Sequence, residues 1–68
     1  MAMVIKHPEI TVRLVGQDGN VFNLMSIVAN ALRKNGFVEE VQDFITEVTS
    51  SQSYHEALAV MMRWVDVR

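Results

Sequence analysis

Sixty-eight residues, half of them hydrophobic and 21% charged, with one Pro and no Cys, already bound the answer. That length holds one domain, because two cores would each fall below the size that folds unaided, and without Cys neither a disulfide nor a zinc–thiolate site can staple it. A net charge of −2 argues against a broadly basic nucleic-acid binder and against an acidic disordered tail. The size argues against a multidomain enzyme with a deep cleft. Composition therefore points to a small soluble globular domain and names no function.

Residues 1–8 read as a poorly ordered segment ahead of the fold. Their apolar stretch is too short for a signal peptide and is interrupted by Lys6, His7 and Pro8. The longest apolar run elsewhere, Ala57–Met62, is far short of the roughly 20 residues a bilayer span needs. No lipidation Cys is present, so a cytoplasmic location away from membranes is expected.

Ile10–Val15 alternates as a strand, with Ile10, Val12 and Leu14 on one face and Thr11, Arg13 and Val15 on the other. Pro8 suits its start, and Gly16-Gln17-Asp18-Gly19-Asn20 makes a turn. Val21–Asn35 follows as a helix with Asn20 as N-cap and Gly36 just past its end. Leu24, Ile27, Val28, Ala31 and Leu32 recur on its inward face. A second helix, about Val38–Thr49, repeats the pattern through Val38, Val41, Phe44, Ile45 and Val48, and the short connection makes the two an αα-hairpin.

Ser53-Tyr54-His55-Glu56 has capping-box spacing, with the Ser53 hydroxyl accepting from the Glu56 amide and the Glu56 carboxylate from the Ser53 amide. A third helix, Tyr54 to about Met62, turns Ala57, Leu58 and Met61 inward. Arg63–Arg68 then switches to period two, as a second strand or as a frayed end of that helix. Val65 and Val67 point one way and Trp64, Asp66 and Arg68 the other. The order is β-α-α-α-β. A lone strand leaves its backbone groups unpaired, so the two strands should pair, in a direction the sequence leaves open, under three helices. The fold class is α+β.

Four segments, Leu14–Asn20, Ala31–Gly36, Glu47–Ser50 and Met62–Val67, together resemble a group of short proteins of bacteria and their phages. The resemblance covers roughly residues 10–68. It implies an origin in a bacterial or phage cytoplasm, and no activity, cofactor or site residue comes with it.

No set of residues makes a convincing active site. Gly16-Gln17-Asp18-Gly19 lies between strand and helix, where amides can cradle an anion, but it lacks the Lys of a phosphate loop and carries Asp18, which repels phosphate. It also lacks the two flanking helices and basic character of a KH-type clamp. Asp18 and Asn20 begin a calcium-loop pattern that Val21, Phe22 and Asn23 do not continue. His55 and Glu56 are helix neighbours that diverge by about 100° and do not chelate together, and Ser53 is committed to its cap. The chain is thus expected to be neither an enzyme nor a holder of a metal or cofactor.

Two surfaces remain. Arg13 and Arg68, with Trp64 as a stacking platform, are the candidate contacts of a single-stranded nucleic acid on the sheet, diluted by Glu9 and Asp66. Phe22, Met25 and Met62 fall off the inward stripes and are the candidate interface for a second copy or another protein. A non-enzymatic interaction or adapter module, homodimeric through that patch or through a strand edge, is the leading expectation. A nucleic-acid accessory protein is the alternative.

Overall fold

The first strand, β1 (His7–Val12), forms where buried Ile10 and Val12 alternate with exposed Glu9 and Thr11. The computed structural model describes residues 4–68. After β1 come α1 (Val21–Lys34), α2 (Val38–Thr49), α3 (Tyr54–Trp64) and β2 (Val65–Val67), a small α+β domain with three helices and a two-stranded sheet. The two strands run parallel. The chain passes through the three helices before β2 comes back beside β1 in the same direction, and Trp64 of α3 is followed at once by Val65 of β2.

β1 starts three residues earlier than the alternation predicts and ends at Val12 rather than Val15. His7 and Pro8 therefore belong to the sheet and not to a loose tail, and His7 is buried. Residues 1–3 of that tail lie outside the described residues. Leu14 and Val15, past the end of β1, still donate their N–H groups to the Arg68 carbonyl at 2.7 and 3.3 Å. The ladder is irregular between His7 and Thr11, which is where Pro8 lacks an N–H to give.

Asn20 caps α1 as predicted, its side-chain oxygen accepting from the Phe22 amide at 2.8 Å. The other end closes in a Schellman motif: Phe37 N–H reaches the Leu32 carbonyl at 2.9 Å and Gly36 N–H the Arg33 carbonyl at 3.1 Å. Gly36 sits at φ +87°, a conformation that a side chain would strain. The motif sets Phe37 against the core and sends the chain directly into α2.

Leu24, Val28 and Leu32 of α1, Val41, Phe44 and Val48 of α2, and Ala57 and Met61 of α3 are buried as their spacing predicts. Ile27, Ala31, Ile45 and Leu58 are only half-buried against that core, and Val38 is exposed. Ala29 and Val60 are buried although they lie off the expected stripes. The correction at α3 is larger. The helix runs on through Trp64, so Ala57, Val60, Met61 and Trp64 form one inward stripe, and β2 keeps only Val65–Val67.

Candidate functional site

Residues at the start of α1 and the start of α3 meet in one place. The Tyr54 hydroxyl donates to the Gly19 carbonyl at 2.7 Å, tying the first turn of α3 to the loop that feeds α1. Its ring stands between two grooves. One, of about 380 Å³, is walled by Phe22 and Met25 over Val48 and Ala57. The other, of about 510 Å³, is lined by Leu14, Val15, Leu24, Leu58 and Met62.

Phe22 and Met25 thus share a groove as expected, while Met62 belongs to the neighbouring one, across Tyr54. Among the described residues six large apolar side chains stay exposed, and four of them, Val15, Phe22 (65%), Tyr54 and Met62 (44%), line these grooves. Among the described residues Arg68 is the only charged one in either lining, and Asp66 already pairs with it at 3.1 Å. Apolar side chains gathered in a continuous face, not scattered singly, mark a contact surface. Tyr54 is the residue the sequence reading missed. Its place in the sequence marks it only as the first residue of a helix, although an aromatic with a polar tip suits the border of a contact.

The loop before α1 spends its polar groups on itself. Asp18 accepts from the Asn20 amide at 3.1 Å, and Asn23 donates to the Asp18 carbonyl at 3.0 Å. These bonds and the Asn20 cap order the turn and place Phe22. Ser53 accepts from the Glu56 amide at 3.1 Å, as a cap should. The reciprocal bond differs from the capping box by one residue: the Glu56 carboxylate accepts from Gln52 N–H at 2.8 Å. His55 is exposed beside it.

Trp64 is 3% exposed, so its indole is a core residue and not a platform for a base. It meets Phe44 edge-on at 5.5 Å, donates from Nε1 to Glu47 at 2.9 Å, and carries the Lys6 ammonium 4.0 Å above its ring. Arg13 and Arg68 are exposed. The proposed basic-aromatic trio therefore reduces to two arginines, one of them paired.

His7, placed in the tail by the sequence, is 8% exposed and stacks on Phe37 at 4.1 Å. Its Nε2 lies 2.9 Å from the Glu40 carboxylate and its Nδ1 3.6 Å from that of Glu9. Lys6 approaches Glu40 at 3.6 Å. The hydrogen bond from His7 holds the Glu40 carboxyl below its ordinary range, against the smaller opposing effect of burial, with the charges of His7 and Lys6 adding to it. This cluster pins β1 to the first turn of α2.

Among the described residues no helix is long and apolar enough to cross a membrane. Comparison of the chain with protein-family models, curated proteins and solved structures finds no match.

Proposed function

We propose that the protein is a non-enzymatic interaction module that captures an uncharged, apolar protein segment on the face around Tyr54. The observation that carries the reading is the convergence of Val15, Phe22, Tyr54 and Met62 on two adjoining grooves with a single charged lining residue. An occupant must bring apolar side chains and no compensating charge. Two adjoining pockets suit an amphipathic helix, whose anchors recur one turn apart. A nucleic-acid interface is the weaker reading, because the indole that would stack bases is buried and Asp66 already engages Arg68.

The test is a selection of peptides from a random phage-displayed library against the full chain. Enriched sequences should carry apolar residues at i, i+3 or i+4 spacing, and their binding should be lost in Met62→Lys and Phe22→Lys. Both side chains are exposed, so these variants should fold. Peptides that bind the variants as well as the parent would refute the reading, as would a selection without enrichment.

A further inference from the structure

Among the described residues the sheet has two strands, so β1 has β2 on one side and an open edge on the other. Leu14 N–H donates to the Arg68 carbonyl and the Val12 carbonyl accepts from Arg68 N–H, so, past the irregularity between His7 and Thr11, positions 12 and 14 face the β2 side. Burial alternates from Glu9 to Val12, and the same alternation of an extended chain turns the N–H and C=O groups of Glu9, Thr11 and Arg13 toward the open edge.

We propose that this edge pairs, antiparallel, with β1 of a second copy about a twofold axis at Thr11, forming a continuous four-stranded sheet. The proposal concerns a different surface from the Tyr54 face and stands independently of it.

The sequence around Thr11 is complementary to itself in that register. Glu9 of each copy lies opposite Arg13 of the other, Thr11 lies opposite Thr11, and Ile10 opposite Val12 on the core side. Opposite charges and Thr–Thr pairs are favourable directly across an antiparallel ladder, and like charges are unfavourable. A slip that sets Glu9 against Glu9, or Arg13 against Arg13, is thereby penalised. Within one chain Arg13 has no ion-pair partner among the described residues, and Glu9 is exposed with only His7 near it.

The surroundings agree. A groove of about 570 Å³ runs along the edge between β1 and α1, and Ile27 and Ala31 of α1 line it together with Ile10 and Val12. Ile27 and Ala31 are the two α1 residues whose spacing points inward but which stay half-buried. A second copy at the edge covers them. Closed twofold pairing also removes an unprotected strand edge. This groove shares no lining residue with the two around Tyr54, so the dimer presents two Tyr54 faces and can hold a divalent partner with increased avidity.

Sedimentation equilibrium of the full chain tests this. The parent should show twice the 7.7 kDa monomer mass. Glu9→Arg and Arg13→Glu should each weaken the dimer about tenfold or more, and the double exchange should return it to within about threefold of the parent. Thr11→Pro removes the N–H at the centre of the pairing, on the side away from β2, and should give a folded monomer by circular dichroism. If that variant fails to fold, the charge exchange decides alone. A chain that stays monomeric up to about a hundred micromolar would overturn the proposal. A dimer indifferent to both charge exchanges would do so too, because another surface would then hold it. A monomer whose edge instead takes an unrelated extended peptide would likewise overturn it.

Discussion

Replacing Trp64 by Ala separates the two places the indole can occupy. The ring is 3% exposed and packs between Phe44, at 5.5 Å, and His7, at 6.1 Å, beneath Lys6. Its Nε1–H is bonded to Glu47. Truncating a buried aromatic to Ala costs about 3–5 kcal/mol, from lost transfer energy and the cavity left behind. A chain of this size has about 3–10 kcal/mol in total. The variant should therefore sit near or beyond its unfolding midpoint at 37 °C. Trp64→Phe retains one ring and loses the indole's remainder and its hydrogen bond. Its cost should be smaller, about 1–3 kcal/mol. Urea unfolding followed by far-ultraviolet circular dichroism gives both values. An Ala variant whose midpoint moves by less than about 0.5 kcal/mol, the range of ordinary surface substitutions, would show that Trp64 lies on the surface, and would return the sheet to the list of nucleic-acid platforms.

Three further changes probe the frame. Ser53→Ala removes the cap on α3 and should lower stability by about 0.5–2 kcal/mol without altering the fold, read as a shifted thermal melt. Gly36→Ala forces a side chain into φ +87° and should cost about 1–2 kcal/mol in a urea titration. Glu40 has a folded-state pKa below its ordinary value of 4.5, so its stabilising contribution is complete above that value and is lost as pH falls through the lowered one. Glu40→Gln should accordingly flatten the acid limb of a plot of melting temperature against pH. An unchanged acid limb would show that the contact between His7 and Glu40 contributes no pH-dependent stability.

The order of elements, the α+β class and both helix caps were legible because each rests on local chemistry. Asn20 and Ser53 cap amides two or three residues away, and Gly36 supplies the left-handed turn. Tertiary context decided the rest. Pro8 read as a strand boundary, yet it sits inside β1 beside an irregular ladder, and His7 is held by Phe37 and Glu40, residues about thirty positions distant in sequence. Trp64 suited either period: alternation with Asp66 and Arg68 suggested a strand, whereas the stripe through Ala57, Val60 and Met61 required one more turn of helix. The stripe brings Trp64 to 3% exposure against Phe44, and burying so large an apolar side chain is favourable. Strand direction is set by the pairing of Thr11 with Asp66 and of Val12 with Val67, contacts distant in sequence that periodicity alone does not force. Phe22 and Met25 both fall off the inward stripe, yet only Phe22 is exposed, while Met25 is half-buried against the core. The role of Tyr54 was hidden because its partner, the Gly19 carbonyl, is far away in sequence.

The most direct measurement titrates a library-selected apolar helical peptide into the full chain, its Met62→Lys variant and its Phe22→Lys variant, by calorimetry at low and high salt. Binding on the Tyr54 face should show the negative heat-capacity change of apolar burial. It should hold its affinity as salt rises and fail in both variants. Affinity that falls steeply with salt, as when phosphates or charged segments are bound, or that survives both lysines, would contradict an apolar contact on that face.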